Sequence, residues 1–228
     1  SSIQFLCQTF ALSRLPVWLK RPLVASPVIR ETEAALARWD LHTICVEGKC
    51  PNRAECYAER SATFLLLGDL CTRGCRFCSV KRLPGRGAGP EWPGYPRIVD
   101  EDEPRRVGGA AAELGLDYIV LTSVTRDDLP DGGAAQFAAS IRAAQLARPG
   151  LLVEALIPDF GGSETDLDAV LASQPAVLAH NVETVPRLYA EVRSGSDYGR
   201  SLRVLRRAAD AGSVTKTALI LGFGERDE

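Results

Sequence analysis

Short apolar runs alternate with amphipathic segments along most of the chain. Consecutive apolar positions over runs of this length are typical of strands that are buried on both faces. We predict five such strands, at residues 62–67, 118–124, 151–157, 176–180 and 217–221. The spacing of apolar positions between them predicts helices at residues 104–114, 134–147, 164–172, 186–192 and 201–211. Strands that alternate with helices predict an α/β fold with a parallel sheet, either open or curled into a full or partial barrel.

The segments outside this alternation carry weaker signals. We predict an irregular leader over residues 1–44 with one short helix at 31–38, and a long loop over the glycine- and proline-rich residues 81–103. Ser163 and Ser201 are the predicted N-caps of two helices, and Gly212 is a predicted helix stop.

A polar or glycine-rich segment follows each predicted strand. These segments are residues 68–69, 125–128, 158–159, 181–183 and 222–225. The carboxyl ends of parallel strands meet at one edge of a sheet, and active sites of α/β folds lie there. We therefore expect a shared site at this edge, although connecting loops are polar in many proteins for solvation alone.

Composition narrows the class of protein. Hydrophobic residues make up 46% and charged residues 25% of 228 residues, which is ordinary for a folded domain. The net charge of −2 gives no support for a nucleic-acid or membrane surface, and no apolar run approaches the roughly 20 residues that span a bilayer. We expect neither nucleic acid nor membrane among the partners. The chain contains no methionine, even at position 1, and we expect a fragment at both ends.

Six of the seven cysteines fall into two groups. The second group, Cys71, Cys75 and Cys78, has the spacing C-x3-C-x2-C and follows the first predicted strand directly. Soft thiolate ligands suit zinc or an iron–sulfur cluster, and three of them on a four-iron cluster leave one iron open for substrate. Disulfides are an alternative, but they are typical of small secreted domains rather than of a chain with this much core.

The first group, Cys45, Cys50 and Cys56, has the spacing C-x4-C-x5-C. It again offers three ligands, and His42 is a candidate fourth ligand for a structural zinc ion. Structural zinc sites more often use closer pairs of cysteines, which favours a second iron–sulfur cluster.

The second cysteine group, with Phe77 before its last member, resembles the signature of radical S-adenosylmethionine (SAM) enzymes. The two groups together, about fifteen residues apart, resemble lipoyl synthase. The likeness extends to residues 15–19, 50–52, 62–64, 67–69, 122–124, 126–134, 158–160, 180–189, 192–193 and 215–217. It implies a partial (β/α) barrel of the radical SAM type over residues 62–228. An N-terminal extension, residues 1–61, would carry an auxiliary cluster.

The resemblance also implies a function. Lipoyl synthases use SAM and two 4Fe–4S clusters to insert sulfur at carbons 6 and 8 of an octanoyl group on a lipoyl carrier domain. The implied carriers are the glycine cleavage H protein or the E2 subunits of 2-oxoacid dehydrogenases, with ferredoxin or flavodoxin as electron donor. The implied location is the cytoplasm, or the mitochondrial matrix in a eukaryote.

The resemblance implies site residues as well. Cys71, Cys75 and Cys78 would hold the SAM-cleaving cluster, and Cys45, Cys50 and Cys56 the auxiliary cluster. The matched positions Thr122, Asn181, Glu183 and Arg193 are candidates for binding SAM, each with an alternative role as a helix cap, loop hydrogen bond or surface ion pair.

Three departures from the family pattern stand out. The loop at 81–103 is longer than usual, Ala218 replaces a glycine, and the family's C-terminal part with its cluster-ligating Arg-Ser-Ser motif is missing from this sequence. Two other functions stay open, namely another radical SAM sulfur-inserting or methylthiolating enzyme and a zinc-binding module without activity.

Overall fold

The computed structural model describes residues 26–83 and 98–226. The helices are α1 Ser26–Arg38, α2 Ile44–Glu47, α3 Arg53–Ala58, α4 Glu103–Glu113, α5 Ala134–Ala147, α6 Glu164–Leu171, α7 Tyr189–Val192 and α8 Tyr198–Asp210. The strands are β1 His42–Thr43, β2 Ser61–Leu66, β3 Leu70–Cys71, β4 Lys81–Arg82, β5 Tyr118–Ser123, β6 Leu152–Leu156, β7 Val177–Ala179 and β8 Thr215–Lys216. Short 3-10 turns lie at Phe160–Gly162 and Pro186–Leu188.

Six strands form one sheet in the order β1-β2-β5-β6-β7-β8. Every neighbouring pair from β2 to β8 is parallel, and β1 adds to the edge of β2 in the antiparallel direction. Strands β3 and β4 form a separate parallel pair beside it. The carboxyl ends of β2, β5, β6 and β7 therefore meet at one edge, as the alternation of strands and helices predicts.

The sheet separates a core from a cavity. Side chains alternate between the two faces of a strand, and those on one face, including Phe64, Leu121 and Leu178, are fully buried in the apolar core that helices α4, α5, α6 and α8 share. The neighbouring positions in the same register, such as Leu65 and Thr122, face the other side and line a cavity.

Close helix packing depends on two adjacent glycines in α4. A Cβ added to Gly108 would lie 2.7 Å from the carbonyl oxygen of Ala143 in α5, and a Cβ on Gly109 would lie 2.3 Å from the ring of Trp39. The absent side chains thus allow α4 to pack directly against α5 and against the residue that follows α1.

Most predicted elements are confirmed with end shifts of one to three residues. Four of the five predicted strands and the helix at 134–147 lie where the apolar pattern places them. Ser163 is an N-cap, since its hydroxyl accepts a hydrogen bond from the Asp166 N–H at 3.3 Å. Gly212 follows the end of α8 with a φ of 79°, as a helix stop does.

Three predictions need correction. The fifth strand is at Thr215–Lys216 rather than 217–221, because beyond Lys216 the backbone keeps one bridge only, between Glu183 and Leu219. Ser201 is not an N-cap but a fully buried residue within α8, whose cap is Asp197. The helix predicted at 31–38 begins earlier, at Ser26.

Part of the sequence interpretation concerns residues that the structure does not describe. The segment at 15–19 lies outside the described residues, and so do residues 84–97 of the predicted long loop, whose first residues form β4. Among the helices that are described, none combines the length and the hydropathy needed to cross a membrane.

Candidate functional site

A cavity of about 270 Å³ opens at the carboxyl edge of the sheet. It contains the whole second cysteine group and all four candidate SAM-binding residues, although these come from segments far apart in sequence. Its lining is Ile44, Thr63, Leu65, Cys71, Arg73, Cys75, Phe77, Cys78, Val80, Thr122, Ser123, Val124, Thr125, Leu156, Ile157, Pro158, Asn181, Glu183, Arg193 and Ser196. A larger groove of about 550 Å³ between α8 and β8 holds none of these residues.

The loop from Cys71 to Cys78, which we call the cysteine loop, is fixed to the sheet by its backbone. The Thr72 N–H donates to the Thr125 carbonyl at 3.0 Å, and the Arg76 N–H donates to the Val192 carbonyl at 2.9 Å. The sulfur of Cys71 accepts hydrogen bonds from the N–H groups of Arg73 at 3.4 Å and Thr125 at 3.3 Å. Such donors favour a charged thiolate ligand over a neutral thiol.

The three thiols of the cysteine loop interact electrostatically. Burial raises the pKa of Cys75 to about 11, the Arg193 guanidinium opposes this shift, and the neighbouring Cys71 and Cys78 thiolates add to it. Burial also raises the pKa of Cys78, against a hydrogen bond from the Val80 backbone. Three thiolates crowded in this way repel one another unless a cation holds them, so the donor set fits a metal cluster.

Arg73 is the most highly connected side chain of the site. Its guanidinium binds Asp127, which follows β5, Asp159, which follows β6, and the hydroxyl of Ser196. The sequence interpretation missed this role. The available signal was weak: the sequence shows only that an arginine lies between two cysteines and that an aspartate follows each of two predicted strands.

The polar candidates for SAM meet on one wall of the cavity. Asn181 and Glu183 leave β7 together, and their side chains are hydrogen-bonded to each other. Burial raises the pKa of Glu183, while the Asn181 amide and the Arg193 charge lower it. Glu183 has a φ of 70°, a strained conformation for a residue with a side chain, which persists where surrounding contacts impose it. Thr122 donates to the Leu156 carbonyl at 3.0 Å across two strands.

Arg193 reaches the cavity from a buried network that the sequence did not reveal. Its guanidinium donates to the Tyr189 hydroxyl at 2.5 Å and to the Ser201 hydroxyl at 3.0 Å. His180, fully buried, contacts Ser201 through Nε2 at 3.0 Å and the Ile157 carbonyl through Nδ1 at 2.9 Å. The orientation of Arg193 therefore depends on residues of β7, α7 and α8 together.

The first cysteine group lies next to this cavity. Thr43 caps α2 by accepting from the Val46 N–H at 3.3 Å, which places Cys45 in the first turn, and the Cys50 N–H donates to the Cys45 carbonyl at 3.2 Å. Burial and the nearby Cys45 and Cys50 thiolates raise the pKa of Cys56. Ile44, the neighbour of Cys45, lines the cavity.

The chemistry of both groups fits iron–sulfur clusters. All six cysteines of the two groups are free thiols, which contradicts the disulfide alternative. Each group offers three soft sulfur ligands, the donors that iron–sulfur clusters require.

Comparison with known proteins agrees with this chemistry. Residues 65–228 match the family model of the radical SAM superfamily. The chain is 47% identical over 214 residues to the lipoyl synthase of Nitratidesulfovibrio vulgaris (strain DP4), covering 94% of this chain and 68% of that protein. It is 47% identical over 212 residues to the lipoyl synthase of Aquifex aeolicus (strain VF5), covering 92% and 73%.

The fold has a solved counterpart. The crystal structure of methylornithine synthase aligns with a TM-score of 0.52 over 90% of this chain and 54% of that chain, at 16% identity. This likeness concerns the fold alone. Together with the sequence matches, it confirms the radical SAM type of α/β architecture.

The superfamily match, which covers most of the chain, implies SAM and a 4Fe–4S cluster, and two such clusters are characteristic of lipoyl synthases. The two cysteine groups, the cavity that contains the second of them and the similarity to proteins from several bacteria agree on one assignment. The chain belongs to the lipoyl synthases, the radical SAM sulfurtransferases that convert an octanoyl group on a carrier protein into lipoyl.

Proposed function

We propose that the two cysteine groups of this lipoyl synthase bind two clusters with different roles. Cys71, Cys75 and Cys78 hold the cluster that binds and cleaves SAM, and Cys45, Cys50 and Cys56 hold the auxiliary cluster that donates sulfur. The observation that carries this proposal is the cavity wall, which contains the second group and also Ile44, the residue next to Cys45 of the first group. When bound, the clusters and SAM supply a carbon-centred radical for hydrogen abstraction and sulfide for the new carbon–sulfur bonds.

The chain's own residues prepare the second group for this task. The N–H groups of Arg73 and Thr125 donate to the sulfur of Cys71, and the guanidinium of Arg193 favours the thiolate form of Cys75. Backbone hydrogen bonds at Thr72 and Arg76 restrain the segment that carries Cys71 and Cys75, which favours a fixed arrangement of these sulfurs.

The polar wall of the cavity is proposed to bind SAM. Arg193 offers a cation to the carboxylate of the methionine part. Asn181 and Glu183 offer acceptors to its ammonium group or to the ribose hydroxyls, and Thr122 adds a hydroxyl at the same edge. Thr122 lies at the carboxyl end of β5 and Asn181 and Glu183 just beyond that of β7, where α/β barrels bind substrates, while Arg193 reaches the same cavity from the end of α7.

The rest of the cavity suits an alkyl chain. Ile44, Leu65, Val80, Leu156 and Ile157 give it an apolar lining beside the second cysteine group. Burying the methylene groups of an octanoyl chain contributes on the order of 5 kcal/mol before ordering costs. Much of the specificity therefore has to come from the carrier protein itself.

The identities of the carrier protein and of the electron donor are also proposals. The carriers would be the glycine cleavage H protein or the E2 subunits of 2-oxoacid dehydrogenases, and the electron donor ferredoxin or flavodoxin. We also propose residues 1–61 as the extension that carries the auxiliary cluster, residues 62–228 as the barrel, and the cytoplasm as the location.

Substitution at the polar wall tests the SAM assignment. We expect Glu183→Gln and Asn181→Ala to raise the KM for SAM about tenfold in reductive cleavage, because each removes a hydrogen bond to a charged or polar ligand group. Iron content should be unchanged. The matched control is Glu191→Gln. This glutamate follows Glu183 in the chain, within α7, but its side chain is 64% exposed and does not line the cavity. An unchanged KM in both wall variants would remove these residues from the SAM site.

A further inference from the structure

We propose that Arg73 is a positioning residue that locks the cysteine loop to the ends of β5 and β6 and so fixes the cluster thiolates relative to the SAM-binding wall. This inference rests on the proposed function of the loop. Arg73 lies between Cys71 and Cys75, so any movement of its side chain is transmitted to two of the three proposed ligands.

The guanidinium of Arg73 uses its full hydrogen-bonding capacity. Nε and Nη2 form a two-pronged contact with Asp127 at 2.8 and 2.6 Å. Nη1 and Nη2 form a second one with Asp159 at 3.2 and 2.9 Å, and Nη1 also donates to the Ser196 hydroxyl at 2.9 Å. These contacts account for all five N–H groups of an arginine.

The arrangement is buried, which makes its geometry demanding. The side chain of Arg73 is 7% exposed and that of Asp159 is not exposed at all. Although burial favours the neutral acid, the guanidinium groups of Arg73 and Arg200 hold the pKa of Asp159 below its usual value. A buried charge without its partner is strongly destabilising, so the loop has one favourable position on the sheet.

A third segment closes over the same guanidinium. Gly195 has a φ of 76°, and a Cβ at this position would lie 3.3 Å from the side chain of Arg73. Gly195 and Ser196 follow Arg193, which lines the same cavity as Cys75. The cysteine loop and the proposed SAM-binding arginine therefore share Arg73 as a common support.

Arg76 in the same loop provides the contrast. Its side chain is 58% exposed and pairs with a single exposed carboxylate, Glu191. Exposed pairs of this kind contribute little to stability. Two arginines three residues apart thus have the same charge but different structural roles, which makes Arg76 a matched control.

The planar fork, rather than the positive charge, is the property that the site uses. A lysine at position 73 would keep the charge but has three donors on one nitrogen and cannot contact two carboxylates in a two-pronged way. Arg73→Lys therefore separates geometry from charge, and Asp127→Asn removes one arm of the contact while Asp159 remains.

The test compares the wild type with Arg73→Lys, Asp127→Asn and Arg76→Lys, reconstituted anaerobically. We expect Arg73→Lys to raise the KM for SAM about tenfold, as loss of a charged hydrogen-bond pair would. The EPR spectrum of the reduced cluster should respond less to added SAM. Asp127→Asn should act in the same direction, and Arg76→Lys should match the wild type. Wild-type values for both Arg73→Lys and Asp127→Asn would overturn the proposal.

A second measurement is independent of any cluster. In the metal-free protein, hydrogen exchange at the amides of Thr72 and Arg76 should be about tenfold faster in Arg73→Lys, because these amides anchor the cysteine loop. Unchanged exchange at these amides would contradict the positioning role of Arg73. Failure of the wild type to bind any cluster would instead refute the proposed function, and the exchange result would still stand. If Arg73→Lys does not fold, hydrogen exchange at the same two amides is measured in Asp127→Asn instead, with the same expected result.

Discussion

Several ionisable side chains are almost fully buried near the pocket edge of the sheet, and each has a polar partner. Asp159 pairs with Arg73 and Arg200, Glu183 with Asn181, and His180 with Ser201. Burying a polar group without a partner is costly, so such groups accumulate where their positions matter for function. At the scale of single residues, the cavity residues Arg73 and Glu183 are thus joined by buried groups behind the wall, Asp159 and His180, that do not line the cavity.

His180 should make the free energy of unfolding depend on pH. Burial, with the Arg193 charge, lowers its pKa to about 4, whereas an unfolded histidine titrates near 6.5. Between these values the unfolded chain binds more protons, so stability is lost as the pH falls below the unfolded value. From about pH 7.5 to about 5.5 the loss from this group is about 1 kcal/mol.

Denaturant unfolding of wild type and His180→Gln at the two pH values checks this expectation. The variant lacks the titrating group and should lose about 1 kcal/mol less than the wild type over the same interval. Equal losses in the wild type and His180→Gln would show that His180 is not held neutral.

Substitutions in the two cysteine groups should abolish different activities. Cys75→Ala is expected to lose about four irons and all reductive SAM cleavage. Cys56→Ala is expected to lose about four irons and lipoyl formation while SAM cleavage continues. Cys7→Ser, outside both groups, is the control and should keep its iron. Loss of SAM cleavage in folded Cys56→Ala would refute the division of labour.

At the scale of elements, the strand ends bring the site together and the helices hold the strands in register. Thr122, Asp159 and Asn181 come within one region because β5, β6 and β7 are parallel neighbours. Helices α4 and α5 cover the opposite face, and their close approach at Gly108 keeps the sheet and the loops that leave it in place.

Gly108→Ala should destabilise this packing. The new methyl group would lie 2.7 Å from a backbone oxygen, which cannot move as a side chain can, so α4 has to shift from α5. We expect the free energy of unfolding to fall by about 1–3 kcal/mol in denaturant titration. The control is Gly199→Ala in α8, where the nearest atom is the end of the flexible Arg203 side chain at 3.4 Å. There the change should be neutral or stabilising, and a similar loss in both variants would contradict the packing argument.

At the scale of the whole molecule, the two proposed cluster-binding groups flank the first strand of the parallel sheet, and the second group lies in the cavity wall. The first group precedes β2 and the second follows it, and Ile44, which adjoins Cys45, lines the cavity that contains the second group. This arrangement matches a reaction in which one cluster cleaves SAM and the other supplies sulfur to the same alkyl chain.

The metal content provides a test at this scale. After anaerobic reconstitution the protein should be brown and bind about eight irons per chain, four for each cysteine group. Metal analysis with sulfide determination and EPR of the reduced protein measures this. A colourless protein with stoichiometric zinc after anaerobic purification would contradict the cluster assignment for both groups.

Local patterns in the sequence determined the main strands of the sheet and the proposed cluster ligands. The apolar runs of β2, β5, β6 and β7 identify buried strands because burial on both faces requires apolar side chains at consecutive positions. The spacing of Cys71, Cys75 and Cys78 indicates a cluster because three ligands on one short loop must converge. Neither inference needs knowledge of distant contacts, and the structure and the comparisons confirm the strands, the fold and the family.

Only the tertiary structure decided which distant side chains meet. Arg73 binds Asp127 and Asp159, which lie 54 and 86 positions away, because β5 and β6 end beside the cysteine loop. Ser201 has the sequence features of a helix cap, yet it is fully buried within α8, where its hydroxyl contacts the ring of His180. Local propensity determines the elements, whereas the order of strands in the sheet determines which charges and hydroxyls become partners, and the sequence pattern carries no direct record of that order.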